Sequence, residues 1–242
     1  MALSARPYLQ HISIHPDAEF DIDHYPFSIP AVRELGTLEF HPDVTFLVGE
    51  NGAGKSTILE AIALAMGFGQ EGGTINAQTF RTTNSVSSLH QHLKLSKSFR
   101  RHKDGYFLRA ESLFNIATYL DDLGSPQPSL HNCSHGEAFM EVLLNLRGNG
   151  LYLLDEPEAA LSPNRQLAAL TAIHQLVQNE SQFIIATHSP ILLSYPRARI
   201  LQFDSSGITE IAYEDTEHYA VTRDFLNHYQ RRLQQLLEDD EN

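Results

Sequence analysis

Residues Gly49-Glu50-Asn51-Gly52-Ala53-Gly54-Lys55-Ser56-Thr57 form a complete phosphate-binding loop, and this pattern constrains the fold more than any other in the chain. An apolar run, Val44 to Val48, leads into it, and a helix-like run, Ile58 to Met66, leads out. Such a loop works only between a strand end and a helix start, so the context carries as much information as the pattern. Its glycines let the backbone turn tightly enough for successive N–H groups to point at phosphate oxygens. The helix N-terminus behind them adds a dipole favourable to a polyanion. Lys55 is placed to reach the β/γ-phosphates, and the Ser56 hydroxyl to bind Mg²⁺. Residues 49–57 therefore predict a nucleoside triphosphate ligand.

The rest of the chain fits an α/β fold of P-loop type. Short strand-like runs occupy Tyr8 to Ile14, Glu19 to Ile22 and Thr37 to Phe40, broken by Pro16, Pro26 and Pro30. After residue 133 apolar strands and amphipathic helices alternate. A helical face at Phe139, Val142, Leu143 and Leu146 precedes the strand Leu151 to Leu154. A second at Leu167, Leu170, Ile173 and Val177 precedes the strand Phe183 to Ala186. Continuous apolar strands separated by helices predict a mostly parallel core sheet, with antiparallel strands at the N-terminus. A terminal hairpin is expected around Ser205-Ser206-Gly207. We expect one domain over 1–242. Its nucleotide-binding core spans about 1–70 and 133–215, an inserted helical lobe about 71–132, and a C-terminal helix with an acidic tail 216–242. Within the lobe, Tyr106 to Arg109 reads as a strand and Ser112 to Leu123 as a helix.

Three further motifs carry chemistry. The strand Leu151-Tyr152-Leu153-Leu154 ends in Asp155-Glu156-Pro157. A parallel sheet presents ligands at the carboxyl ends of its strands, so Asp155 is placed to hold Mg²⁺ together with Ser56. Glu156, next to it, is placed to orient or deprotonate the water that attacks the γ-phosphate. The next strand ends in Ala186-Thr187-His188-Ser189, where His188 can donate a hydrogen bond to the γ-phosphate or that water. Finally, Ser134-His135-Gly136-Glu137 reads as a helix capping box, Ser134 with Glu137 three residues on. Such a capped start with a small Gly136 also bares backbone N–H groups to a phosphate. His131, Cys133 and His135 have a zinc-like look, but no second ligand pair stands at the usual spacing.

The order of these motifs resembles that of ATP-binding-cassette (ABC) ATPases, over roughly residues 8–215. The wording GENGAGKSTILEAIALAMG, SHGE, LLDEPEAALSP and ATHSP is most similar to the soluble branch. That branch holds RecF-like, structural-maintenance-of-chromosomes and OLD-like heads and small AAA-type ATPases. The resemblance implies an ATPase that closes as a head-to-tail homodimer around two Mg·ATP. Lys55 and the loop then belong to Walker A, and Asp155 to Walker B. Glu156 is the catalytic base and His188 the switch histidine. Ser134 and Gly136 belong to the signature motif that meets the γ-phosphate held by the opposite subunit, and 159–162 to the D-loop. His135 replaces the first signature glycine, and Ser162 the usual D-loop aspartate. Glu111, Gln78 and Gln91 are rivals for the Q-loop position, and Tyr25 and Phe27 for the adenine-stacking ring. The short stretch between Lys55 and Ser134 leaves no room for long coiled-coil arms.

Composition narrows the partners. The formal charge of −13 argues against broad coating of nucleic acid, because phosphate attraction needs a basic surface. One local exception stands out. Lys94, Lys97, Arg100, Arg101 and Lys103 hold five of the 17 Lys/Arg and are interrupted by no acid, a possible contact for nucleic acid or an effector protein. A single cysteine suits a reducing, cytoplasmic setting. There is no signal-peptide pattern and no apolar run near the ~18 residues of a membrane span, so membrane insertion is not expected. Competing readings are a small-molecule kinase, the nucleotide-binding subunit of a transporter, and a nucleotide-dependent binding module with little turnover.

Overall fold

A computed structural model of the chain describes residues 6–69, 72–74, 87–109 and 134–238. Ten strands are present among them: β1 Leu9–Ile14, β2 Leu38–Glu39, β3 Val44–Gly49, β4 Gly73–Thr74, β5 Leu93–Lys97, β6 Asp104–Arg109, β7 Gly150–Asp155, β8 Gln182–Ala186, β9 Arg199–Asp204 and β10 Gly207–Glu210. The helices are α1 Pro30–Arg33, α2 Lys55–Met66, α3 Leu89–His92, α4 His135–Asn145, α5 Pro163–Gln178, α6 Pro190–Leu193 and α7 Glu217–Glu238.

The strands form two sheets. The larger has the order β10-β9-β3-β8-β7-β6-β4, and the smaller, β2-β1-β5, is antiparallel. In the larger sheet the five inner strands run parallel, and β10 and β4 close its edges antiparallel. β7 and β8 are buried along their whole length, and β3 up to its last residue. That burial is why these strands read as unbroken apolar runs rather than alternating ones.

Successive side chains of these strands enter two different cores. Leu47, Leu153, Ile184, Ala186 and Leu201 pack with Ile58, Leu59 and Ile62 of α2, and beyond them with Leu9 and Ile12 of the small sheet. Phe46, Val48, Tyr152, Leu154 and Ile185 pack on the other face with Phe139 and Leu143 of α4 and Ala169, Ile173 and Val177 of α5. Gln182 stitches the two sheets together: its side chain accepts from Leu9 N at 3.0 Å and donates to Leu9 O at 2.9 Å. Gly67 ends α2 at φ 95, returning its N–H to the Ala63 and Leu64 carbonyls, while Phe68 N also reaches Ala63 O.

Two expectations need correction. Glu19 to Ile22 is not a strand. Asp21 accepts from Asp23 N at 2.9 Å and from His24 at 2.7 Å, a local side-chain turn that competes with extended pairing. Nor is 71–132 a separate lobe throughout, since β6 pairs in register with β7 inside the larger sheet and β5 pairs with β1. The helix expected over 112–123, and the acidic tail from 239, lie outside the described residues. No described helix is long and apolar enough to cross a membrane.

Candidate nucleotide site

Four neighbouring parallel strands, β3, β8, β7 and β6, finish at one edge of the larger sheet. β3 releases the loop 49–54, β7 ends at Asp155, β8 leads to His188, and β6 ends at Arg109. The topology therefore gathers three of the four motifs without any side-chain argument.

The loop needs its glycines for distinct reasons. Gly49, Gly52 and Gly54 have φ of 142, 82 and 100, where a Cβ is disfavoured. A Cβ on Gly49 would stand 2.3 Å from Phe203 O at the end of β9, and one on Gly54 2.9 Å from Ile29 Cγ2. Gly52 faces open space, so only its φ demands glycine. Lys55 starts α2 in a buried position, and its Nζ donates to Gly49 O at 2.7 Å and Glu50 O at 2.9 Å. Burial lowers its pKa, against the opposing pull of Glu156, Asp155 and Glu158.

Ser56 Oγ donates to Asp155 Oδ1 at 2.9 Å. This hydroxyl–carboxylate pair fits Mg²⁺, which takes one or two protein oxygens and fills the rest of its octahedron with phosphate and water. Among the described residues no group of three or more His, Cys, Asp and Glu could hold a metal by itself. Of the zinc-like trio, His131 and Cys133 lie outside those residues. The other oxygen of Asp155 faces Arg109 Nε at 3.4 Å, and Arg109 also binds Glu60 of α2 at 2.8 Å.

Glu156, next in sequence, makes a different set of contacts. Its φ of 48 and ψ of 52 are left-handed, uncommon for a residue with a Cβ, and its N–H is held by Ala186 O at 2.9 Å. The carboxylate is 44% exposed and lies 3.8 Å from His188 Nε2. Glu158, two residues on, is occupied differently. It accepts from Thr187 Oγ1 at 2.7 Å and from His188 N at 2.5 Å, and so fixes the loop after β8. His188 Nδ1 lies 2.9 Å from His218 Nε2. Its Nε2 is the one buried side-chain polar atom among the described residues without a hydrogen-bond partner. Burial, and then the Lys55 charge, push the His188 pKa down.

At Ser134 and Gly136 the capping box is formed. Ser134 Oγ accepts from Glu137 N at 3.3 Å, and Ser134 N donates to Glu137 Oε2 at 2.9 Å. Arg165 of α5 binds both, reaching Ser134 Oγ at 3.2 Å and Glu137 Oε1 at 3.0 Å. A Cβ on Gly136 would meet Arg165 Nη1 at 2.5 Å and Ala160 O at 2.6 Å, so glycine lets α4 start against the 157–161 turn. Of the candidate adenine rings, Phe27 is 4% exposed and stacked on Phe20 at 4.2 Å, which removes it. Tyr25 is 63% exposed, with its hydroxyl 3.3 Å from Thr57 Oγ1, and stays in place. Gln91 lies on α3, which feeds the small sheet instead of the Asp155 edge, and is withdrawn as a Q-loop candidate. Gln78 and Glu111 lie outside the described residues. Sequence patterns offered no signal for Glu60, Glu158, Arg165 or His218, because each acts through a contact distant in the chain.

Fold and site together define a P-loop α/β domain, with a phosphate-binding loop and a hydroxyl–carboxylate pair at the carboxyl edge of a largely parallel sheet. A family model described as AAA domain matches residues 27–239, and the chain belongs to that family. No curated protein matches it. Among solved structures, the SMC head domain from Thermotoga maritima is similar at 14% identity and a TM-score of 0.47, over 84% of this chain and 99% of that one. A putative metal-chelate type ABC transporter in an inward-facing conformation shows 14% identity and a TM-score of 0.47, over 88% of each chain. The protein cbiO1 from Clostridium perfringens, part of an ABC transporter complex, shows 16% identity and a TM-score of 0.45, over 84% and 91%.

Proposed function

We propose that the chain is a Mg²⁺-dependent ATPase head that dimerises around ATP and drives or gates a partner. The observation that carries this reading is the separation of tasks at the sheet edge. Ser56 is hydrogen-bonded to Asp155, while the Glu156 carboxylate lies 3.8 Å from His188 Nε2. Bound Mg·ATP supplies the transferable phosphoryl and the cation that neutralises its charge. Lys55 would exchange its two loop carbonyls for phosphate oxygens, and Ser56 with Asp155 would hold the cation. Glu156 orients the attacking water and accepts its proton, and His188 presents Nε2 to the terminal phosphate. Purified protein with Mg²⁺ and ATP should release phosphate with no acceptor added. Release that needs a small-molecule acceptor would make the protein a kinase instead.

Dimerisation is proposed from the exposed, capped start of α4. Ser134 is exposed at that helix start, open to the phosphate held by a second copy. Ser134→Arg places a second cation and added bulk beside Arg165. It should abolish ATP-dependent dimerisation while leaving ATP binding by the monomer within about threefold, read by sedimentation and by titration. A variant that still dimerises with ATP leaves the helix start a cap and nothing more. The transporter-subunit reading gains no support from any observation at the site.

A nucleic-acid contact is a second reading, and one observation favours it. Lys97, Arg100, Arg101 and Lys103 line a pocket with Tyr8 and Met66, four cations against one acid, Asp104. Phe99 beside them is 67% exposed, with Arg100 5.9 Å from its ring, a surface on which a base can stack. The pocket takes in the first residues of β6, Asp104 and Gly105, so it lies at the opposite end of that strand from Arg109, roughly 17 Å away. Neutralising Lys97, Arg100 and Arg101 together should weaken oligonucleotide binding and flatten its log–log salt slope by roughly two. If the unaltered protein binds no oligonucleotide at low salt, this reading fails.

A further inference from the structure

The structure assigns His218 as a positioning residue that sets the tautomer of His188, so that His188 presents an Nε2–H to the terminal phosphate. The inference rests on the proposed role of His188. His218 stands in the first turn of α7, thirty residues beyond His188 and on a different element. The two rings are joined by the 2.9 Å Nδ1 to Nε2 contact, with centroids 5.1 Å apart and planes inclined by 54°.

A hydrogen bond between two neutral imidazoles needs one donor and one acceptor, so two arrangements compete. In one, His188 donates from Nδ1 and leaves a bare lone pair on Nε2. In the other, His218 donates from Nε2, and His188 carries its proton on Nε2. The surroundings of Nε2 decide between them. That atom is buried, has no partner within the described residues, and looks at the Glu156 carboxylate 3.8 Å away. A lone pair pointed at a carboxylate is repelled, whereas an N–H is attracted. A phosphate oxygen in the same space accepts hydrogen bonds and donates none, so it makes the same choice. The second arrangement follows, with one proton between the rings and one aimed at the site. Burial lowers the pKa of both histidines, which keeps both rings neutral near pH 7, as the pairing requires.

The backbone of His188 is already held by Glu158, so the loop does not need His218 for its path. What His218 adds is the choice of tautomer and the angle of the ring. It also ties the start of α7 to the one histidine at the nucleotide edge.

Nitrogen-15 NMR on imidazole-labelled full-length protein at pH 7 tests this directly, with the His188 signals identified by their loss in His188→Ala. The expected result is a protonated Nε2 and an unprotonated Nδ1 on His188. A protonated Nδ1 overturns the inference, and needs no variant to do so. Steady-state ATP hydrolysis supplies the second readout. His218→Phe should lower kcat about tenfold, the factor carried by one net hydrogen bond, and should mix the His188 tautomers. His218→Gln, whose amide can donate at the same place, should recover most of that loss. On a His188→Ala background, His218→Phe should cost nothing more. An unchanged kcat in His218→Phe, beside an impaired His188→Ala, overturns the positioning role. If His188→Ala itself hydrolyses ATP normally, the role of His188 fails, and the tautomer measurement still decides what His218 does.

Discussion

Replacing Lys55 with alanine is expected to lower ATP affinity by at least about a hundredfold while leaving the domain folded. Lys55 is the cation that the fold sets at the mouth of the loop, and it is held there by two backbone carbonyls, Gly49 O and Glu50 O. Charge-assisted hydrogen bonds from this ammonium to phosphate oxygens contribute ~1.5–3 kcal/mol each, so two of them account for that factor or more. The fold should tolerate the change. Lys55 is the first residue of α2, alanine is the best helix former, and the apolar face of α2 begins only at Ile58. Equilibrium titration with ATP, beside a thermal unfolding curve, separates the two effects. Wild-type affinity in a folded Lys55→Ala protein would refute residues 49–57 as a nucleotide site.

Glu156→Gln should leave binding intact and cut turnover by about 10²–10⁴-fold, the range over which a positioned base acts. The substitution keeps size and shape. The carboxylate is partly exposed and its nearest ionisable neighbour is His188 at 3.8 Å, so little structure depends on its charge. Glu158 is the obvious rival, but its two oxygens are committed to Thr187 Oγ1 and His188 N. A base must have a free lone pair within reach of the proton it takes, and by that standard Glu156 is the better placed of the two. Turnover within twofold of wild type in single-turnover assays would move the base elsewhere.

These two residues were visible in the sequence because their chemistry is local. The loop 49–57 sits between an apolar run and a helical run, and Asp155-Glu156 closes an apolar strand; both contexts can be read within about ten residues. The parallel sheet was legible for a similar reason, since β3, β7 and β8 are buried on both faces and lack alternation. What failed to show was adjacency. Periodicity says that Tyr106 to Arg109 is a strand, but not that it lies beside β7 and brings Arg109 to Asp155 and Glu60. His218 gave no sign at all, because its partner is thirty residues away across a turn and two further strands. Phe27 misled by type: a phenyl ring near a P-loop suits an adenine, but this one is consumed by stacking on Phe20. The Glu19 to Ile22 segment misled by composition, since the Asp21 turn overrides its apolar residues.

The measurement that bears most directly on the ATP-clamped dimer is the mass of Glu156→Gln in solution, by light scattering, with and without Mg·ATP. Hydrolysis is expected to be slowed by about 10²–10⁴-fold in that variant, so any assembly that ATP builds should persist long enough to weigh. Without nucleotide, two copies of a chain with a formal charge of −13 meet with mostly repulsion, and the monomer mass of 27.2 kDa is expected. With Mg·ATP twice that mass is expected, returning to the monomer once the nucleotide is removed. A monomer under both conditions, or a dimer indifferent to ATP, would contradict it.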